Sequence, residues 1–298
     1  MFSAISSRRT LSPRPLITAD LLGLTPASEQ PGTLPAPAAL RQAAAAQRLT
    51  PEAVADYAAC LLRTDDGLPI TPAAHHRLWL TLLCDERIRR LLIIAPPESA
   101  KTTWLISAFA GCYIGLWPER NIIIGSVSDE VAEKRALSLR AMVESTAWQQ
   151  VFPGILPVKA SIGLKWTTSE WSVAPEGRPR PGRIHPTVFA VGRGGSVIGS
   201  RADLLIGDDL LDFDSTRTVH QRQMGEAWIH NSFLSRVKAR TGRAVIIGNA
   251  WHADDYYAKA RREGGWVVCH MGLLGEGADV YATLTWPDDY PAGARLGE

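Results

Sequence analysis

The stretch LLIIAPPESAKTTW, residues 91–104, constrains the fold of this 298-residue chain more than any other. Residues 91–94 form a continuous apolar run, too short for a buried helix and closed by prolines, which reads as a strand covered on both faces. Pro96 and Pro97 stop the strand, and an apolar helical pattern over about residues 101–116 follows. A strand, a tight loop and a helix opening on lysine and threonine are the layout of a phosphate-binding loop. Such a loop needs backbone N–H groups gathered at a helix N-terminus, a lysine for the outer phosphates and a hydroxyl for Mg2+. In this reading Ala95, Pro96, Pro97, Glu98, Ser99 and Ala100 make the loop, and Lys101, Thr102 and Thr103 open the helix. Lys101 would serve phosphate and Thr102 the metal. The pattern G-x-x-x-x-G-K-[ST] is not met, because Ala95 and Ala100 stand at its two glycine positions. Alanine at positive φ costs about 1–2 kcal/mol, so the loop is expected to differ in detail. An ordinary strand-to-helix turn with a solvated Lys101 is the other reading, and this segment alone leaves both open.

A phosphate loop demands a second buried strand that ends in acid, to hold Mg2+ from the sheet side and to aim a water. Residues 203–209, DLLIGDD, supply it. Successive strand side chains point opposite ways, so Asp208 is assigned to Mg2+ and Asp209 to polarising the attacking water. The alternative is that the pair caps the following helix, which also carries Asp212 and Asp214. A third buried run, 244–248, ends in Asn249, an amide placed to sense the terminal phosphate. Strand ends often carry Asn, so Asn249 has little weight alone.

The wider pattern agrees with an α/β chain. Short apolar runs at 91–94, 121–126, 203–207 and 244–248 alternate with helical stretches, as expected of a mainly parallel sheet flanked by helices. Ser128, with Asp129 and Glu130 behind it, caps a helix to about residue 145. Between about 166 and 191 the pieces 166–168, 170–173 and 187–191 surround a Pro/Gly/Arg loop and suggest an antiparallel addition. Upstream, residues 36–88 read as a helical lead-in. Thr50-Pro51-Glu52 opens one helix, and Thr71-Pro72 opens another that carries His75, His76 and Trp79. The sheet-bearing core is expected over 89–290, with 291–298 as a tail. Residues 1–35 are expected to be disordered. The first nineteen hold Arg8, Arg9, Arg14 and four serines without an acid, superficially like a transit peptide, but Pro13 and Pro15 interrupt any amphipathic helix.

Composition closes several routes. Thirty-two Lys and Arg against thirty Asp and Glu leave +2, so bulk charge cannot hold nucleic acid and local clusters must. No apolar run approaches the roughly 18–20 residues of a membrane span. Cys60, Cys84, Cys112 and Cys269 lack zinc-ribbon or disulfide-framework spacing, which fits a reducing setting.

The ordered triplet APPESAKTT, GGSVIGSRADLLIGDDL and AVIIGNAWHADD resembles the large terminase subunits of tailed bacteriophages, specifically their N-terminal DNA-packaging ATPase domain, over roughly residues 70–290. The resemblance implies a RecA-like (ASCE) P-loop NTPase that uses ATP and Mg2+. It implies a ring, a pentamer on the portal protein, that drives double-stranded DNA into a preformed head with a small terminase subunit, in the host bacterial cytoplasm. Carried over, Lys101 and Thr102 serve phosphates and Mg2+, Asp208 the metal, Asp209 the water, and Asn249 couples hydrolysis to movement. An arginine acting on a neighbour's site is implied too, with Arg201 the first choice and Arg193 the second; either could instead pair with an acid of its own domain. Large terminases continue into an RNase H-like nuclease. Here the sequence runs out soon after Leu284-Thr-Trp286-Pro287-Asp288, which looks like the junction, so ATPase and translocation are expected without cleavage, and a separate nuclease subunit is possible. Ala100 departs from the family pattern. It motivates the rival reading of a catalytically impaired assembly component that binds portal or small terminase. A helicase-like reading would require a second RecA lobe.

For DNA, residues 158–201 hold seven cations against Glu170 and Glu176, and Arg178, Arg180 and Arg183 sit in the most exposed-looking loop. A second cluster, Arg217, Arg222, Arg236, Lys238, Arg240 and Arg243, fits DNA, a solvated helix face or a contact between ring subunits. Trp166 and Trp171 read as packing residues. His75 or His76 falls where the family recognises adenine, although helix packing explains them as well.

Overall fold

The computed structural model describes residues 38–159, 163–272, 282–288 and 290–291, so the segment 1–35 and most of the tail fall outside the described residues. Three helices lead: α1 (Ala38–Ala46), α2 (Pro51–Leu61) and α3 (Ala74–Cys84). α2 begins as its sequence dictates, with Thr50 Oγ1 accepting the Ala53 N–H at 3.2 Å and Pro51 in the first turn. α3 begins later than Thr71-Pro72 suggests. Ala73 holds the cap position, and His76 reaches back so that its Nδ1 accepts the Ala73 N–H at 3.1 Å.

The strands follow in chain order: β1 (Arg90–Ile94), β2 (Ile122–Ser126), β3 (Ile155–Pro157), β4 (Glu170–Trp171), β5 (Val173–Pro175), β6 (Val188–Gly192), β7 (Leu204–Asp208), β8 (Arg243–Gly248), β9 (Val267–Met271) and β10 (Ala282–Thr285). Eight of them form one sheet in the order β10-β9-β1-β8-β7-β2-β6-β4, parallel except for β10 and β4 at its edges. β3 and β5 pair separately and antiparallel.

Alternation along the strands divides the core in two. Leu91, Ile93, Ile122, Ile124, Leu204, Ile206, Val245 and Ile247 join the helices α1–α3 in one cluster. Leu92, Ile94, Ile123, Leu205, Ala244 and Ile246 pack on Ile229, Phe233 and Tyr257 in the other. Both faces of each strand are apolar because both are covered, the condition under which a strand reads as an unbroken apolar run.

Two expectations need correction, and a third element is helical over 101–116 as expected but wound in an unusual way. Residues 188–191 of the expected piece 187–191 belong to β6, which is parallel to β2 inside the main sheet, so the antiparallel addition is confined to β4, β10 and the β3–β5 pair. Residues 166–168 form no strand; the Thr167 N–H donates to Glu170 O in a turn at 2.8 Å. The helix after β1 winds as a π-helix over Thr103–Ala110 before continuing as α4 (Gly111–Leu116). That stretch is buried nearly all round, so its apolar pattern has no face from which the winding could be read. Beyond β2 lie α5 (Asp129–Val143), capped by Ser128, and α6 (Thr146–Val151). α7 (Phe213–Thr216), α8 (Val219–Ala227) and a second π-helix, Trp228–Phe233, link β7 to β8, and α9 (Tyr256–Glu263) precedes β9. Among the described residues no helix is long and apolar enough to cross a membrane. All four cysteines are free.

Candidate functional site

β1, β8 and β7 are consecutive in the sheet, so three loops distant in sequence meet at its carboxyl edge, where open parallel sheets place their ligands. Register aligns them: Ile94 pairs with Gly248, and Ile247 with Asp208. The chain then continues in step, with the Ala95 N–H donating to Gly248 O at 3.0 Å and the Asp209 N–H to Ile247 O at 2.9 Å.

The side chains converge accordingly. Thr102 Oγ1 donates to Asp208 Oδ2 at 2.9 Å. Lys101, only 6% exposed, does not extend into solvent; its Nζ donates to Asn249 Oδ1 at 2.8 Å and to Pro96 O at 2.9 Å. The solvated-lysine reading of the segment is thereby set aside. Ser99 Oγ donates to Pro96 O at 2.7 Å, closing the loop on itself. His76 Nε2 lies 3.0 Å from Ser99 O, and its ring stacks on Trp104 at 4.9 Å between centroids. Burial, and then the adjoining His75, lower His76 to about 4, which suits a packed neutral imidazole.

Backbone strain gathers here. Among the described residues five non-glycines have positive φ, and three of them, Glu98 (62°), Ala100 (54°) and Asp209 (48°), belong to this site. Ala100 therefore adopts the conformation for which glycine is usual, at a cost of about 1–2 kcal/mol. The loop does not avoid that conformation, as the alanine had suggested. Strain of this kind persists only where surrounding contacts over-determine it. The Asp209 turn has such supports: Ser126 Oγ donates to Asp208 O at 2.7 Å and Tyr257 Oη accepts the Leu210 N–H at 3.0 Å.

Electrostatically the two carboxylates are costly. Burial raises Asp208 against the downward pull of Arg135, Thr102 and Lys101. Burial and then the Asp208 charge raise Asp209 to about 6. Asp208 Oδ1 and Asp209 Oδ1 are buried without hydrogen-bond partners. Buried carboxylate oxygens rarely stay unpaired, so a cation or ordered water suits the space beside them. Among the described residues no three His, Cys, Asp or Glu side chains cluster as a metal cage. Mg2+ needs none when phosphates complete its shell, and Thr102 with Asp208 fits that limited demand.

Other candidates fall elsewhere. Arg201 precedes the amino end of β7, opposite the Asp208 end, and its Nη1 donates to Ser235 O at 3.1 Å. Arg193 follows the carboxyl end of β6, on the site's edge of the sheet, and is half-buried. Arg178 and Arg180 are exposed. Arg183 is not an exposed cation: it is 6% exposed, and its guanidinium donates to Val173 O, His185 O, Pro118 O and Thr187 Oγ1. It ties the Pro/Gly/Arg loop to its neighbours with four of its five N–H groups, and its burial keeps it from a DNA phosphate. In the second basic cluster Arg243 is likewise engaged, with Ile88 O and Leu83 O, and Lys238 pairs with Asp203 at 2.7 Å. Trp171 is buried, and its Nε1 donates to Ala136 O. The helix after Asp208 and Asp209 is capped by Asp212, not by the pair.

Three residues of the site escaped the sequence reading: Ser126, Tyr257 and Arg135. Arg135 Nε donates to Asp208 Oδ2 at 2.8 Å. Its signal was present but faint, an arginine on the helix face marked by Ala132, Ala136, Leu139 and Val143.

No protein-family profile matches the sequence, and no curated protein matches it. Among solved structures, the HK97 bacteriophage large terminase is similar with a TM-score of 0.45 and 14% identity, over 72% of this chain and 42% of that one. The S. cerevisiae Dbp5 protein, in a complex with Nup159, Gle1, IP6 and ADP, is similar with a TM-score of 0.37 and 12% identity, over 64% of this chain and 46% of that one. The chain thus spans less than half the length of either.

Proposed function

We propose that the chain is an ATP-hydrolysing motor subunit of the terminase type, which moves double-stranded DNA into a procapsid. The observation that carries the reading is the Thr102–Asp208 hydrogen bond, with the Lys101–Asn249 bond beside it and the buried Asp208 Oδ1 and Asp209 Oδ1 unpaired. A hydroxyl and an ammonium at a helix start, opposite a buried strand-end carboxylate, make a set of contacts that suits a polyphosphate and its cation. Bound there, Mg2+ would neutralise charge on the phosphates. Thr102 and Asp208 would hold it, Lys101 would leave Asn249 for the outer phosphates, and Asp209 would orient and accept a proton from water. Asn249, released from Lys101, is then free to report the state of the terminal phosphate, which makes it the coupling residue. Arg193 lies at the site's edge of its own sheet and Arg201 at the far end, and we keep Arg201 as the first choice for an arginine that acts on a neighbour's site and Arg193 as the second. The partners belonging to this reading are portal protein, small terminase subunit, other copies in a ring and a separate nuclease. Arg178 and Arg180 are the DNA contacts we retain.

Phosphate release by the purified chain, with and without duplex DNA, tests the proposal. Lys101→Ala and Asp209→Asn should each abolish it, and activity indifferent to both would overturn the assignment. The strained Ala100 favours a second reading, an assembly component that binds nucleotide without turnover. It is separated by nucleotide binding in the absence of phosphate release.

A further inference from the structure

Asp208 is fully buried, and Arg135 is the cation bonded to it, since Lys101 is engaged with Asn249 and Pro96. Arg135 reaches the site from α5, an element outside the three loops that build it. Only its Nε is used. Among the described residues neither Nη group has a hydrogen-bond partner, and the side chain remains 29% exposed. The guanidinium is therefore fixed at one edge by a buried carboxylate while its other N–H groups stay open. A planar donor fork held in this way matches the oxygens of a phosphoryl group better than an ammonium would.

We propose that Arg135 binds the terminal phosphoryl group of a nucleoside triphosphate held in its own chain, and so distinguishes triphosphate from diphosphate. The inference rests on the nucleotide reading of the site. It adds an in-chain arginine to a site for which the sequence suggested arginines of a neighbouring copy. The Nε bond to Asp208 presets the side chain, so little rotamer freedom is lost when the fork meets its ligand. Arg201, at the other end of β7, cannot take this place within one chain.

The test is equilibrium binding of ATP and of ADP, each with Mg2+, to the full chain by calorimetry. Arg135→Ala should weaken ATP by about tenfold or more and leave ADP within about twofold. Arg135→Lys, which keeps the charge and lacks the fork, should lose at least about threefold for ATP, and it carries the test if the alanine variant does not fold. Equal losses for ATP and ADP would reduce Arg135 to a counter-ion of Asp208 and overturn the inference, as would an unchanged preference in either folded variant. Failure of the unaltered chain to bind either nucleotide would overturn the reading of the site as well.

Discussion

Thr102 and Asp208, 106 positions apart in the chain, share a 2.9 Å hydrogen bond at the carboxyl edge of the sheet. That bond joins the helix start after β1 to the end of β7, with β8 between the two strands. Its partners differ in kind. The hydroxyl is replaceable, whereas the carboxylate is buried and expensive to leave unpaired.

Removing the hydroxyl leaves Asp208 Oδ2 with Arg135 Nε as its remaining partner, so the loss is that of one hydrogen bond to a charged group. Thr102→Val is expected to lower stability by about 1–3 kcal/mol, seen as a lower denaturant midpoint at unchanged slope. Thr102→Ser should restore most of it.

At Ala100 glycine should stabilise the chain. It relieves about 1–2 kcal/mol of left-handed strain and gives back about 0.5–1 kcal/mol in backbone entropy, for a net gain of up to about 1.5 kcal/mol. A rise in thermal midpoint for Ala100→Gly, together with a fall for Ala100→Val, is the expected pair of results. A fall with glycine would mean that the loop does not hold positive φ in solution.

Asp209 sets the pH behaviour. Its carboxyl lies at about 6 in the fold against an ordinary 3.8, so the folded chain binds the extra proton more readily than the unfolded one. The stability it contributes is complete below pH 3.8 and is lost as pH rises through about 6. Asp209→Asn should remove this component and stabilise the chain at neutral pH. Denaturant midpoints of the unaltered chain and of Asp209→Asn across this range check it. A stability in the unaltered chain that does not fall as pH rises through about 6 would refute the raised carboxyl.

The loop arginines should divide by burial. Arg183→Ala removes donors from Val173 O, His185 O, Pro118 O and Thr187 Oγ1, and should destabilise the chain by about 2–3 kcal/mol. Replacing Arg178 and Arg180 with alanine should cost less than about 0.5 kcal/mol each. That pair should, however, weaken duplex binding and reduce its dependence on salt. An unchanged salt slope in an anisotropy titration would remove the loop from the DNA surface.

What the sequence determined by itself is local. Apolar runs such as 91–94 and 244–248 are strands because both of their faces must be covered, and Thr50 and Ser128 cap helices because their side chains reach the first free N–H groups. The candidates were legible for a similar reason: Asp208, Asp209 and Asn249 mark the ends of such runs, and Lys101 and Thr102 open the helix that follows the loop after another. Tertiary structure decided what depends on neighbours distant in the chain. Strand order brings β1, β8 and β7 together, and no pattern within a strand encodes which strand lies beside it. The same holds for charge: Arg183 looks like Arg178 and Arg180 in the text, yet the carbonyls that bury it come from the ends of other segments. Arg135 lay unnoticed on a helix face because its partner, Asp208, is 73 positions away. Ala100 shows the reverse case, in which tertiary contacts hold a residue in a conformation that its own side chain disfavours.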